Sequence, residues 1–207
     1  MPLVVHHLEN SRSHRVLWLL EELEADYRIE RYDRDPETKR APDALQDVHP
    51  LGKSPVITDD DRTVAESAVI LSYILDHYGD GTYRPAKDSD AYRQYQYWMH
   101  YAEGSAMLPL VIKFLFDEMI NQAPWPAVPL VWPISKVVDG QFVGPEIQRH
   151  LAFWERSLSD QPYFAGQQFT AADIQMSFPL AGGLGHTDNP EEYPNCTDLL
   201  DRLESRD

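Results

Sequence analysis

Apolar residues recur along the first 80 positions with a period that changes from one segment to the next. Residues 3–5 form a short apolar run typical of a buried strand. The next apolar residues repeat at i, i+3, i+4 and i+7, as on one face of a helix: Val16, Leu19, Leu20 and Leu23. Further strand patterns cover 27–32, 55–58 and 62–64, and helical patterns cover 42–45 and 66–78. The order βαβαββα predicts a mixed sheet covered by helices.

The pattern changes after residue 78, where glycine and proline punctuate the segment GDGTYRPAK. Such punctuation is typical of a linker, and no strand pattern follows it. Long apolar segments predict helices over 88–120, with a bend at Pro109, and over 144–158. Between them, four prolines among the eleven residues 123–133 predict a loop.

A chain of 207 residues could form one domain or two, and it is long enough for a sizeable core. We predict an α/β domain over residues 1–80, a linker over 81–87 and an all-α domain over 88–207. The α/β domain has the order of elements found in the thioredoxin-like fold.

Residues 51–74 combine two features of a binding site in the segment LGKSPVITDDDRTVAESAVILSYI. Pro55 begins a strand without an N–H group, so the backbone of Ser54 stays available to an extended partner. Glu66 and Ser67 open a helix, whose unpaired N–H groups can hold a carboxylate. Each feature alone has a purely structural explanation, since residues 63–66 also fit a capping box. Together they predict a site for a small peptide-like anion.

Ser11 lies between the first predicted strand and the first predicted helix. The free N–H groups and the dipole at the start of a helix favour an anion. A free thiol has a pKa of about 8.5 and is only a few per cent thiolate at neutral pH. A hydrogen bond from the Ser11 hydroxyl to a sulfur, added to the dipole, would lower that pKa by roughly one to two units. Ser11 is therefore a candidate catalytic residue, although a role for Ser11 or Asn10 as a helix cap explains the same sequence.

The charge and cysteine content narrow the class of partner. A formal net charge of −16 argues against binding to nucleic acid or to acidic membranes. The sequence contains neither an apolar run of 18 residues nor the features of a signal peptide, so we predict a cytoplasmic protein. The single cysteine, Cys196, excludes an internal disulfide. His6 and His7 point to opposite faces of a strand and cannot easily share a metal, and no metal site is predicted.

Three segments carry a family resemblance. The run HHLENSRSHRVLWLLEEL resembles the first strand and helix of the serine-type cytosolic glutathione S-transferases, in which Ser11 would be the thiol-activating serine. The runs NSRSHRVLWLLEEL and HPLGKSPVITD resemble more narrowly the bacterial and fungal Gtt1-like branch of that family. The segment FAGQQFTAADI resembles the capping motif of their helical domain, so we assign Thr170 and Asp173 to folding.

The resemblance implies a glutathione site built on the central segment. Lys53 would contact the glycyl carboxylate, Ser54 would pair with the peptide through its backbone, and Pro55 would be a cis-proline that presents this backbone. Glu66 and Ser67 would hold the γ-glutamyl group. Weaker candidates at the rim are Arg12 and His49.

The same resemblance implies a function. Glutathione would be a co-substrate, without a further cofactor, and its thiolate would attack a hydrophobic electrophile or, as a side activity, a hydroperoxide. A homodimer is also implied, with the helical domain supplying the electrophile pocket. A non-catalytic scaffold of the same fold is the alternative. A thiol-disulfide oxidoreductase is disfavoured because no cysteine precedes Cys196.

Overall fold

The computed structural model describes residues 2–206 and divides the chain into two compact units. One unit ends at Tyr92 and the other begins at Arg93. The segment 81–87 lies inside the first unit. Its role as a linker, and the assignment of separate tasks to 1–80 and 88–207, stay predictions.

The first unit has the predicted order of elements. These are β1 (Leu3–Leu8), α1 (Ser13–Glu22), β2 (Tyr27–Tyr32), α2 (Ala44–Val48), β3 (Val56–Asp59), β4 (Arg62–Ala65) and α3 (Ser67–His77). The strands form a sheet in the order β2-β1-β3-β4. The β1–β2 pair is parallel, while the β1–β3 and β3–β4 pairs are antiparallel. The predicted thioredoxin-like fold is confirmed.

The core of the first unit lies between the sheet and helices α1 and α3. Most residues of β1 are buried, as expected for a strand inside the sheet, and both helices turn an apolar face inward. The buried side chains include Leu3, Val5, Val16, Leu19, Leu20, Ile70, Leu71 and Ile74.

The strand register gathers three chain segments at one edge of the sheet. His6 near the end of β1 pairs with Val56 at the start of β3, and Val56 pairs with Ala65 at the end of β4. The segment after β1, the segment before β3 and the segment after β4 therefore meet at this edge. All the residues with predicted roles in catalysis or binding, except His49, lie on these three segments.

The second unit is helical, as predicted. Its helices are α4 (Asp90–Tyr101), which begins just before the boundary between the units, α5 (Met107–Gln122), α6 (Val128–Val138), α7 (Gly144–Ser157), α8 (Ala171–Leu184) and α9 (Pro194–Glu204). Short π-helical turns cover Ala102–Ala106 and Asp139–Val143, and a 3₁₀ turn covers Pro190–Glu192. Within residues 2–206, no helix combines the length and the apolar character needed to cross a membrane.

The start of α8 has the predicted capping box. Thr170 accepts a hydrogen bond from Ala172 N–H, and the Asp173 carboxylate accepts one from Thr170 N–H. Asp173 is fully buried and also binds Phe164 N–H at 2.8 Å, so it satisfies a backbone donor of the preceding loop. Further along α8, a Cβ at Gly183 would lie 2.8 Å from Trp154 Cζ3, so glycine permits this close approach of α8 to α7.

One prediction about proline was partly wrong. Helix α6 begins at Val128, so residues 128–133 of the predicted loop are helical. Pro129 stands in the first turn, where its missing N–H costs no intrahelical bond, and the helix tolerates Pro133 farther along. The bend predicted at Pro109 stays a prediction: a π-helical turn covers 102–106, and Pro109 falls in the first turn of α5.

Candidate active site

Ser11 lies in the turn that joins β1 to α1. Its side chain is buried, with 8% of the residue exposed, and α1 begins two residues later at Ser13. The Ser11 Oγ accepts a hydrogen bond from Ser13 N–H at 3.3 Å. The hydroxyl therefore satisfies a backbone donor at the start of the helix, as a capping residue does, and it lies where the helix dipole favours an anion.

Ser54 connects this turn to the segment before β3. Its Oγ lies 3.4 Å from Ser11 Oγ, donates a hydrogen bond to His6 O at 2.9 Å and accepts one from Leu8 N–H at 3.3 Å. The Ser54–Pro55 peptide bond is cis, and Pro55 is buried. The structure thus brings the candidate catalytic serine next to the candidate peptide-binding segment.

Glu66 and Ser67 join β4 to α3 at the same edge of the sheet. Ser67 is the first residue of α3 and is buried, whereas Glu66 is exposed. The backbone of Glu66 has φ +73° and ψ 121°, a conformation that non-glycine residues rarely adopt. The start of α3, whose first N–H groups have no partner within the helix, therefore follows directly from the strand end at this edge.

The remaining candidates surround this edge less closely. Arg12 is half-buried and precedes the first residue of α1. Lys53 is exposed and adjoins Ser54 in the chain. His49 follows α2, and its Nδ1 accepts a hydrogen bond from Leu51 N–H at 3.4 Å, so His49 helps to hold the turn that leads to Lys53.

Two further polar side chains are linked to Ser11, Ser13 by direct contact and His7 through Ser13, and no sequence pattern assigned them to the site. Ser13 Oγ lies 2.8 Å from Ser11 Oγ and 2.8 Å from His7 Nδ1. Ser13 is fully buried. The signal available in the sequence was the polar residue at the first position of an apolar helix, because a buried hydroxyl must find partners. That its partners are His7 and Ser11 depends on the exact turn geometry.

Burial controls the ionisation of the groups near this edge. It lowers the pKa of His6 and of His7 below the ordinary value for histidine.

The only thiol of the chain, on Cys196, lies in α9, and burial raises its pKa. Cys196 is therefore a poor nucleophile. Among residues 2–206, the structure groups no three His, Cys, Asp or Glu side chains that could hold a metal ion.

Comparison with known proteins identifies the family. The family model for the glutathione S-transferase N-terminal domain matches residues 11–77, and the model for the C-terminal domain matches residues 122–207. The chain belongs to the glutathione S-transferase family. This confirms the resemblance and supports glutathione S-transferase function.

Relatives of this transferase include two fungal proteins. It is 38% identical to glutathione S-transferase 3 of Schizosaccharomyces pombe, over 86% of this chain and 73% of that protein. It is 32% identical to glutathione S-transferase 1 of Saccharomyces cerevisiae, over the whole of this chain and 92% of that protein.

Solved structures agree with the fold. A glutathione S-transferase from Actinobacillus pleuropneumoniae is 33% identical and aligns with a TM-score of 0.78, over 99% of this chain and 87% of that chain. A sphingomonad glutathione S-transferase, solved in complex with glutathione, aligns with a TM-score of 0.71 at 21% identity, over 98% and 93% of the two chains. At that identity the second comparison supports the fold alone.

Proposed function

We propose that this transferase joins the thiolate of glutathione to electrophilic small molecules, and that Ser11 stabilises the thiolate. The observation that carries the proposal is the contact between Ser11 Oγ and Ser54 Oγ, at 3.4 Å. It sets a hydroxyl at a helix start beside the backbone expected to bind a peptide. A ligand paired with that backbone would have its thiol near this hydroxyl.

The proposed chemistry needs little from the protein beyond ionising and placing the thiol. The Ser11 hydroxyl donates a hydrogen bond to the sulfur, and the start of α1 adds a favourable dipole. The thiolate attacks the electrophilic carbon, a sulfur–carbon bond forms, and the leaving group departs with its bonding electrons. The proton lost by the thiol passes to solvent.

Glutathione binding is assigned to the three segments at the sheet edge. Lys53 pairs with the glycyl carboxylate, Ser54 pairs with the peptide through its backbone beside Pro55, and Glu66 and Ser67 hold the γ-glutamyl group. The Glu66 carboxylate suits the ammonium of that group, and the N–H groups that open α3 suit its carboxylate. Arg12 and His49 belong to the rim.

The wider proposal includes a hydrophobic electrophile and a homodimer. The second unit exposes large apolar side chains on α5 and α6, among them Leu108, Phe114, Leu115, Leu130 and Trp132, which suit apolar partners. Reduction of hydroperoxides by the same thiolate, the absence of a further cofactor and a cytoplasmic location stay predictions.

The test is calorimetric titration of glutathione into the wild type and into Ser11→Ala, with an aryl halide conjugation assay on both. We expect both proteins to bind glutathione, and the variant to lose about tenfold or more of its rate at neutral pH because less of the thiol is ionised. Ser159→Ala, which changes an exposed serine of the second unit, is the matched control and should resemble the wild type.

Two results would contradict the proposal. If the wild type fails to bind glutathione at millimolar concentration, the sheet edge is only part of the fold, and a non-catalytic scaffold becomes the better description. If Ser11→Ala turns over as fast as the wild type, the chain is an enzyme but Ser11 does not activate the thiol.

A further inference from the structure

A continuous chain of hydrogen-bonding atoms leads from Ser11 back into the first unit. Ser11 Oγ and Ser13 Oγ are 2.8 Å apart, and Ser13 Oγ and His7 Nδ1 are 2.8 Å apart. Both distances are those of normal hydrogen bonds, and both serines are buried. Each short contact therefore contains one hydrogen, and each hydroxyl can donate only one hydrogen bond.

The neighbours of Ser11 limit where these hydrogens can go. Ser54 uses its hydrogen on His6 O at 2.9 Å, so it can accept from Ser11 but cannot donate to it. In the contact between Ser11 and Ser13, either serine can be the donor. Which of them donates depends on His7, because Nδ1 of a histidine is either a donor or an acceptor.

The chain can run in two directions. If His7 Nδ1 lacks a hydrogen, Ser13 donates to it, and Ser11 must then donate to Ser13. If His7 Nδ1 carries a hydrogen, it donates to Ser13, Ser13 donates to Ser11, and the hydrogen of Ser11 is available to an outside acceptor. Only the second direction lets Ser11 donate a hydrogen bond to a thiolate.

We propose that His7, acting through Ser13, sets the direction of this hydrogen-bond chain and so determines whether Ser11 can stabilise the thiolate of glutathione. The inference rests on the proposed function of Ser11. His7 and Ser13 act as positioning residues, since the reacting sulfur would contact only Ser11.

The surroundings of His7 do not fix the direction of the hydrogen-bond chain, so a bound ligand can change it. His7 faces Arg31 on the paired strand β2, His14 on α1, with ring centroids 5.5 Å apart, and Glu9 beyond the end of β1. Burial lowers the pKa of His7, His14 and Arg31 lower it further, and Glu9 opposes them. The ring is therefore neutral at neutral pH, and either nitrogen can carry its hydrogen.

Thiolate formation and the protonation of His7 are then linked. A thiolate beside Ser11 favours the direction in which Nδ1 donates, and a hydrogen on Nδ1 favours the thiolate by the same factor. Protonation of His7 fixes a hydrogen on Nδ1. The thiol of bound glutathione should consequently have a lower pKa when His7 is protonated than when it is neutral.

Two substitutions of nearly equal shape separate donation from acceptance at position 7. The amide of His7→Asn can donate to Ser13, whereas the carboxylate of His7→Asp can only accept. The measured quantity is the pKa of the thiol in the bound glutathione, from the ultraviolet absorbance of the thiolate against pH. We expect His7→Asn to keep a lowered thiol pKa, and His7→Asp to raise it by about one unit, a tenfold change in the ionisation equilibrium.

The same pair in a Ser13→Ala background distinguishes the hydrogen-bond chain from simple charge. The negative charge of Asp at position 7 also raises the thiol pKa, but that effect does not need Ser13. We expect the gap between the Asn and Asp variants to fall by more than half without Ser13. An equal gap in both backgrounds would overturn the proposal.

Two controls keep this failure separate from failure of the proposed function. Titration with S-methylglutathione, which has no ionisable thiol, tests whether each variant retains a folded binding site. Ser11→Ala tests whether Ser11 lowers the thiol pKa at all. If Ser11→Ala raises the thiol pKa but the Asn and Asp variants do not differ, the role of Ser11 stands and the role of His7 is refuted.

Discussion

Glu66 holds an uncommon backbone conformation at the point where its side chain is assigned to the ligand. At its φ of +73°, the Cβ of a residue other than glycine is crowded by the backbone. This conformation costs about 1–3 kcal/mol of strain energy. The cost persists only if the surrounding structure enforces it, and such residues concentrate at binding sites. The conformation supports a functional reason for a residue with a side chain at this position.

The substitution Glu66→Gly tests that reason. We expect the free energy of unfolding to rise by about 1 kcal/mol, because glycine relieves the strain, while the affinity for glutathione falls. Urea denaturation and calorimetric titration measure the two effects. Glu66→Gln is the control: it keeps the strain and removes the charge, so it should lose affinity without gaining stability. A stable Glu66→Gly protein that binds glutathione normally would show that the Glu66 side chain has no part in binding.

Asp173 satisfies three donors from a fully buried position. It accepts hydrogen bonds from Phe164 N–H, Thr170 N–H and the Thr170 hydroxyl. In Asp173→Asn, an NH₂ group replaces one accepting oxygen and faces a backbone donor. We expect a loss of about 1–3 kcal/mol at pH 7, measured by urea denaturation. Unchanged stability would contradict the assignment of this motif to folding.

The difference in stability between the wild type and Asp173→Asn depends on pH because Asp173 ionises. Burial raises its pKa to about 6, although its hydrogen bonds oppose the shift, whereas an unfolded Asp ionises at about 3.9. Between these values the folded state binds more protons than the unfolded state, so this group contributes less stability as the pH rises. We expect the difference in free energy of unfolding between the wild type and Asp173→Asn, measured by urea denaturation, to be largest near pH 4. This difference should shrink as the pH rises through 6.

At the scale of elements, the start of α9 depends on a residue of α7. The Glu155 carboxylate accepts hydrogen bonds from Asn195 N–H and Cys196 N–H at 3.0 Å each, and from Asn195 Nδ2 at 2.6 Å. No local sequence pattern predicts a partner for these donors. A carboxylate at a helix start accepts hydrogen bonds from the N–H groups there and interacts favourably with the helix dipole. Glu155 therefore links α7 to the start of α9.

Removing this cap should loosen α9 locally. In Glu155→Ala we expect a loss of about 1–2 kcal/mol and faster labelling of Cys196 by a thiol reagent, because fraying of the helix exposes the buried sulfur. Glu204→Ala, at the exposed far end of α9, is the matched control. Equal labelling rates in the two variants would contradict a capping role for Glu155.

The elements differ in how far the sequence alone could predict them. Periodicity was sufficient for the order of the first unit, because each segment there has a clear period and a marked end. It failed at α6, where proline in a first helical turn looks like proline in a loop. The site was partly predictable because Ser11 and Ser54 lie in recognisable turns. The contacts of Ser13 with His7 and of Glu155 with Asn195 depend on tertiary geometry, which no local pattern encodes.

At the scale of the whole molecule, the net charge of −16 opposes the approach of glutathione, which is itself an anion at neutral pH. Binding must therefore rely on local cations. Arg15, which lies near Ser11 in the sequence, is buried in α1. Lys53 is exposed beside Ser54, and the proposed function assigns it to the glycyl carboxylate.

Salt should separate the local attraction from the global repulsion. Screening acts over about 10 Å at 0.1 M salt and weakens both. We expect added salt to lower the affinity of the wild type, where the Lys53 contact dominates, and to raise that of Lys53→Gln, where mainly the repulsion is left. At low salt this variant should bind about two- to fivefold more weakly. Lys136→Gln removes the same charge from an exposed position on α6 and should keep the wild-type response. If all three proteins respond alike, Lys53 makes no contact with the ligand, and the net charge alone governs the salt dependence.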